Sequence, residues 1–171
     1  MFLLASHETK SSTSVLINLP LFRYSFERYD PLLHIRASGR EVDVSAKAAR
    51  EVCVAINGTL VKDAKEYLEA VQSKKASVPF RRYKRGGAHR SETPGFHAGA
   101  YPVKAAKEVL NVLNNLEANA EFKGLDLDRL KIIHAAAERG RLTKSFTPRA
   151  QGRSSPSFNT LVHIEMVATE A

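Results

Sequence analysis

From Val78 to Gly87 the chain reads Val-Pro-Phe-Arg-Arg-Tyr-Lys-Arg-Gly-Gly, interleaving arginine with aromatic rings and ending in paired glycines. Guanidinium groups bridge phosphates bidentately and stack on bases. Rings such as those of Phe80 and Tyr83 stack on unpaired bases. Paired glycines let a backbone approach a crowded surface. The chemistry these residues suit is recognition of a folded polyanion, RNA above all. A second stretch, Thr147-Pro148-Arg149-Ala150-Gln151-Gly152-Arg153-Ser154, sets two arginines four residues apart among small residues. In an extended arm this makes a thin charged rod that can enter spaces between RNA helices, and RNA would order it.

The charge distribution supports the same two segments. The chain has 171 residues and a formal net charge of +8. Lys74 to Arg90 carries +7 with no acid, and Arg139 to Phe158 carries +5 with no acid. The remaining 134 residues hold 14 basic and 18 acidic side chains, a net −4. Charge confined to two segments of a mildly acidic body is a binding footprint rather than a solubility device. In the first segment the seven charges have no sequence-local counter-ion and would repel one another, which favours RNA contact over a merely solvated loop.

Catalytic and metal-binding patterns are missing from the sequence. There is no G-x-S-x-G, no phosphate-binding P-loop, no G-x-G-x-x-G and no H-E-x-x-H. The single cysteine, Cys53, excludes a disulfide framework and a Cys-rich zinc site, and its place on an apolar helical stripe makes it a buried inert thiol. His89 and His97 share a loop without the further ligands a tetrahedral site needs. His134 and His163 are expected on facing strands, either as a cross-strand pair or as strand residues touching polar neighbours. Asp126 and Asp128 read as turn or strand-entry acids. No catalytic residue, cofactor or metal is expected.

The elements that must position the basic segments follow from periodicity. Glu41 to Val44 alternates as a short strand. Ser45 is an N-cap, Ala49, Val52, Cys53 and Ile56 form one helical face, and Gly58 stops that helix. A second helix spans 62–73, with Ala64, Leu68 and Val71 inward. Residues 76–101, rich in proline and glycine, read as a loop. Pro102 suits the first position of a third helix whose stripe is Ala106, Val109, Leu110, Leu113, Leu116 and Ala120, ended by Gly124. Residues 130–137 and 161–170 read as strands, the latter with Val162, Ile164, Met166 and Ala168 on one face and His163, Glu165 and Thr169 on the other. The 23 residues between them, 138–160, predict an extended hairpin arm with a basic tip. The fold class is α+β: three helices packed on a small, about three-stranded antiparallel sheet, with a long protruding β-hairpin.

No run of about 18 apolar residues is present, so a spanning helix and a membrane partner are not expected. Val15 to Phe22 is apolar apart from Asn18 but is broken by Pro20, with no basic region before it and no small-residue cleavage site after it. Residues 1–22 therefore read as a loosely ordered extension, residues 23–171 as one domain, and the location as cytoplasmic.

Six motifs in order resemble a known family, the large-subunit ribosomal protein called L-twenty-two in bacteria and archaea and L-seventeen in eukaryotes. They are Val44-Ser45-Ala46-Lys47-Ala48-Ala49-Arg50, Val78-Pro79-Phe80-Arg81-Arg82-Tyr83, Tyr101-Pro102-Val103-Lys104-Ala105-Ala106, Ala118-Asn119-Ala120-Glu121-Phe122-Lys123-Gly124-Leu125-Asp126, Pro148-Arg149-Ala150-Gln151-Gly152-Arg153 and His163-Ile164-Glu165-Met166-Val167. The resemblance covers about Tyr24 to Glu170. The Val-Pro-Phe-Arg-Arg-Tyr insert is similar to the archaeal and eukaryotic branch, and the Tyr-Pro-Val-Lys-Ala-Ala wording leans archaeal. Residues 1–22 match nothing in the family, and Glu138 puts an acid at the base of the arm where the resemblance leads one to expect a neutral or basic residue.

The resemblance implies a structural, non-enzymatic component of the large ribosomal subunit. The globular part would bind large-subunit rRNA beside neighbouring ribosomal proteins near the tunnel mouth. The arm would reach the peptide exit tunnel and meet the nascent polypeptide. No homo-oligomer is implied. Expected rRNA contacts are Lys47 and Arg50 on the first helix, then Lys74, Lys75, Phe80, Arg81, Arg82, Tyr83, Lys84, Arg85, His89 and Arg90 in and beside the basic loop. Lys104 starts the third helix, and Arg139, Arg141, Lys144, Arg149 and Arg153 lie on the arm. The tunnel-lining tip would be Phe146, Thr147, Pro148, Ala150, Gln151, Gly152 and Ser154.

Two other classes compete. A free-standing helix-turn-helix DNA-binding protein would use the first two helices about the Gly58 turn, but the second helix shows a mixed face of Lys62, Asp63, Lys65, Glu66 and Glu69. An RNA-cleaving enzyme has no supporting constellation beyond Asp126 and Asp128.

Overall fold

A computed structural model of the chain describes residues 23–93 and 95–170. The first strand, β1 (His34–Val42), leads into α1 (Ala46–Ile56) and α2 (Val61–Gln72). Short strands β2 (Val78–Pro79), β3 (Ala88–His89) and β4 (Ala98–Ala100) follow, then α3 (Val103–Lys123), one 3-10 turn (Leu127–Arg129), and the long strands β5 (Leu130–Pro148) and β6 (Ser154–Glu170). The main sheet has the order β1-β6-β5, antiparallel throughout. This is the expected α+β class.

The helices cover one face of that sheet. Ala49, Val52, Cys53 and Ile56 of α1, Ala64, Leu68 and Val71 of α2, and Val109, Leu113, Leu116 and Ala120 of α3 meet Ile35, Ile132, Val162, Ile164 and Met166. Burying each large aliphatic side chain contributes roughly 1.5–3 kcal/mol, so this layer holds the fold. Burial pushes the Cys53 thiol up to about 12, as an inert core residue requires. The stripe of α3 includes Val112, which periodicity did not single out, while Leu110 is half-buried. Gly124 ends α3 at φ 71°, a left-handed conformation that costs glycine nothing.

Several expected boundaries shift. The strand read over Glu41–Val44 is the far end of β1, which begins seven residues earlier at His34 and stops at Val42. Pro102 is the N-cap of α3 rather than its first residue. Residues 76–101 are not wholly irregular: β2, β4 and β3 form a second antiparallel sheet in that order. His134 and His163 are not a cross-strand pair, since His134 faces Val167 and His163 faces Glu138.

The register sets the two apart, because His163 lies opposite Glu138, four residues along β5 from His134. The β5–β6 ladder is interrupted between Ile132 and His134 and again between Arg139 and Leu142. An extra residue reverses the parity of every side chain beyond it. After the first interruption Ala135, not His134, enters the core, and His134 turns to the opposite face.

That opposite face is itself covered. Residues Tyr24 to Tyr29 lie across it, and Glu165, read as outward and polar, is only 1% exposed. The Ser25 backbone N–H donates to both Glu165 carboxylate oxygens at 3.0 and 3.1 Å. The Ser25 hydroxyl also bonds Glu165 and His134, and His134 Nε2 lies 3.0 Å from Glu165 Oε1. Phe26 meets His34 edge-on at 5.6 Å, and the Arg36 guanidinium sits between the rings of Tyr24 and Tyr29 at 5.0 and 4.5 Å. The expected extension over residues 1–22 lies outside the described residues.

Beyond the second interruption β5 and β6 continue as a two-stranded ribbon to Pro148 and Ser154. Residues 141–154 are all exposed. From Leu142 to Pro148 the ribbon runs about 20 Å at roughly 3.3 Å per residue. It closes through Arg149 to Arg153, where the Arg149 N–H donates to Arg153 O at 2.8 Å and Gln151 and Gly152 take positive φ. This is the expected hairpin arm.

Among the described residues no helix is long and apolar enough to cross a membrane. The exposed residues of α2 oppose one cation, Lys62, with Asp63, Glu66 and Glu69. The α1–α2 turn is tied to β5 by bonds from Gly58 N–H to Ile132 O and from Ile132 N–H to Thr59 O, both 2.9 Å. Nothing here supports the helix-turn-helix alternative.

Candidate nucleic-acid interface

The basic loop is built against one face of α1. Lys47 and Glu51 stand one turn apart on that helix and so share a face. The Lys47 ammonium lies 5.6 Å from the centre of the Tyr83 ring, with the Arg82 guanidinium 5.9 Å from the same ring. Glu51, 1% exposed, accepts the backbone N–H groups of Arg81 and Arg82, each at 3.1 Å, and the Arg50 guanidinium at 3.2 Å. The loop charges therefore do have an acid beneath them, supplied from α1 rather than from the loop's own sequence. Arg81 extends over Phe96 at 5.6 Å.

The other loop residues divide. Phe80 is half-buried against the core, so it is a wall of the loop as much as a ring on offer. Lys84 and Arg85 are exposed at the turn that the Gly87 N–H closes on Lys84 O at 2.9 Å. His89 is exposed with its ring 5.2 Å from His97. Arg90 is half-buried over the Tyr101 ring at 4.8 Å. Lys74 and Lys75 are exposed just past α2. Among the described residues, no group of three or more His, Cys, Asp or Glu is arranged to hold a metal.

The arm joins the body at a cleft of about 500 Å³ lined by Asp43, Ser45, Lys47, Lys104, Arg139 and Asn159, among others. Asp43 ties three elements together. It accepts Asn159 Nδ2 of β6 at 2.7 Å and Lys104 Nζ of α3 at 2.9 Å. The Asn159 bond first, then the Lys104 bond and charge, hold its carboxyl below the ordinary 3.8. Lys104 is thus partly neutralised, while Arg139 has no such partner among the described residues.

The two basic segments, separated by about fifty residues in sequence, meet at Lys47. That side chain reaches Tyr83 of the loop and also lines the cleft with Arg139 of the arm. Lys47, Arg50, Arg81, Arg82, Tyr83, Lys104 and Arg139 are brought together around α1. Arg141, Lys144, Arg149 and Arg153 continue outward along the ribbon, all exposed. Near the tip Phe146 and Phe158 form an edge-to-face pair at 6.2 Å and remain 65% and 53% exposed. Thr147, Pro148, Ala150, Gln151, Gly152 and Ser154 complete the exposed end.

Sequence reasoning missed Glu51, Asp43, Asn159 and Phe158. An acid beside a helical stripe reads as solvent-facing, and only the returning loop buries Glu51. Phe158 was legible from register: in a hairpin closing at 149–153 it sits diagonal to Phe146.

Residues 37–169 match the family described as "Ribosomal protein L22p/L17e". The chain is 55% identical over 150 residues to the large ribosomal subunit protein uL22 of Cenarchaeum symbiosum, covering 88% of this chain and 98% of that one. It is 51% identical over 149 residues to the protein of the same description from Nitrosopumilus maritimus, covering 87% and 97%. To that from Archaeoglobus fulgidus it is 45% identical over 152 residues, covering 88% and 98%.

Proposed function

The chain belongs to the ribosomal protein L22p/L17e family, and from that membership we propose how its residues serve the large ribosomal subunit. It is a structural, non-enzymatic component of that subunit, in the cytoplasm, in contact with large-subunit rRNA and neighbouring ribosomal proteins. The face around α1 anchors the body on rRNA through Lys47, Arg50, Arg81, Arg82, Tyr83 and Arg139. Arg141, Lys144, Arg149 and Arg153 neutralise phosphates along the arm, and the tip borders the exit tunnel where the nascent polypeptide passes.

The convergence on Lys47 carries this reading. It makes one continuous basic path from the loop to the arm, which is what an anchor and a probe on the same RNA require. Guanidinium and ammonium groups along that path displace counterions from phosphate, so affinity falls with salt. The ribbon has no core of its own, and an isolated two-stranded hairpin is marginal in water, so RNA must complete its ordering.

The test is rRNA binding by Arg149→Ala and Arg153→Ala across a salt series. Each lost phosphate contact lowers the slope of log K against log salt by about 0.7–0.9. An unchanged slope in both variants would remove these side chains from the interface.

A further inference from the structure

We infer that Glu51 is a positioning residue for RNA recognition: its buried carboxylate fixes the path of the Arg81–Arg82 backbone so that both guanidinium groups are presented before RNA arrives. The inference rests on the reading that this loop docks on rRNA.

The observation behind it is which atoms Glu51 holds. An acid under a basic loop would ordinarily be expected to pair with the loop's charged side chains and so cancel them. Glu51 instead accepts the backbone N–H groups of Arg81 and Arg82, at 3.1 Å each. Among the described residues its one side-chain partner is Arg50 of its own helix, at 3.2 Å. The Arg81 and Arg82 guanidinium groups stay exposed, resting near the Phe96 and Tyr83 rings at 5.6 and 5.9 Å. The carboxylate thus fastens the loop without consuming the charge that would meet phosphate.

Its burial makes the contact matter. A carboxylate 1% exposed must have its lone pairs satisfied by donors. Two of those donors are successive amides of the loop, so any other loop path would strand the charge. Ordering the loop in advance removes an entropic cost that would otherwise fall on RNA binding. The neighbouring Tyr83 ring, beneath Lys47, extends the same fixed surface.

The experiment uses the full chain and a large-subunit rRNA transcript. Glu51→Gln keeps the side-chain shape but sets an amide NH2 against one of the two backbone donors. Hydrogen exchange at the Arg81 and Arg82 amides should quicken by about tenfold or more, and rRNA affinity should fall about tenfold. The salt slope should stay at the wild-type value, because no cation has been removed; Arg81→Ala, by contrast, should lower the slope. Unchanged affinity in Glu51→Gln, or a slope that falls with the affinity, overturns the inference. Should Glu51→Gln not fold, the wild-type protein still decides. Its Arg81 and Arg82 amides must exchange more slowly, without RNA, than those of Lys84 and Arg85, and equal exchange overturns the inference. Failure of the wild-type chain to bind the transcript would instead refute the functional reading itself, and Glu51's role with it.

Discussion

Replacing Gly140 with alanine should lower the thermal midpoint of the protein by about 4–8 °C, because the base of the arm has no room for a methyl group. An ideal Cβ on Gly140 would stand 2.5 Å from His163 Nε2 and 2.9 Å from both adjoining ring carbons. The His163 ring is not free to swing away, since its Nδ1 accepts the Glu41 N–H at 3.2 Å. Glu41 in turn sits at φ 51°, in an irregular stretch of β1 between Gly39 and Val42. Gly140 lies in the matching irregularity of β5 between Arg139 and Leu142. Two bulges thus face each other across β6 with one imidazole between them. Overpacking of this kind costs about 1–3 kcal/mol, and loss of the Glu41 bond adds about 1 kcal/mol if the ring yields. A net of about 2 kcal/mol, at roughly 2–4 °C per kcal/mol for a domain of this size, gives the stated shift.

The assay is a double-mutant cycle by thermal or urea unfolding with Gly140→Ala, His163→Ala and both together. If the ring is the obstacle, Gly140→Ala should cost almost nothing once His163 is alanine, leaving a coupling energy of about 1–2 kcal/mol. Additive effects, or a neutral or stabilising Gly140→Ala, would refute the packing argument. The alanine would then be acting only through backbone entropy, which favours it over glycine.

Other outcomes follow from the same structure. Deleting residues 145–157 should leave a cooperatively unfolding protein, since no residue of the buried core lies there; loss of the cooperative transition in circular dichroism would show that the arm is part of the folding unit. An NMR titration of Asp43 should give a midpoint below 3.8, and Lys104→Ala should bring it upward. The sign follows from a folded-state value depressed below the unfolded one: Asp43 contributes stability above the unfolded value, and loses it as pH falls through the folded value. A midpoint unmoved by Lys104→Ala would mean that Asn159 alone holds the carboxylate.

The parts of this protein legible in the sequence are those set by local periodicity. The stripes of α1 and α2 and the glycine caps at 58 and 124 fall where spacing put them, because a helix needs only its own neighbours to declare its inward face. The arm was legible for the opposite reason: a long polar basic stretch between two strands has few other solutions. What escaped depends on contacts distant in sequence. His134 and His163 fall on facing strands, but only the register, which sets His134 against Val167 and His163 against Glu138, decides who faces whom. Glu165 looked outward until residues 24–29 crossed over it. Glu51 gave no signal in its own helix, and only the loop thirty residues later places two amides on it. Each of these involves a polar residue whose partners are set by tertiary closure, and no window of local sequence contains them.

Those same polar residues divide the molecule by where its order comes from. Glu51, Asp43 and Glu165 each hold a segment that apolar packing alone would leave loose: the basic loop, the arm's root and the strap across the sheet. Two of the three fasten backbone rather than neutralising charge, so the body can be rigid and still keep its cations available. Beyond the Asn159–Asp43 bond no acid lies in the ribbon, and its exposed residues are held by strand pairing, the Ser145 hydroxyl on Ser157 O and the Phe146–Phe158 contact. On the proposed reading, in which the body docks on rRNA and the arm enters it, that gradient is an advantage. A preformed anchor limits the search to one surface, and a compliant tip follows whatever path the RNA leaves open.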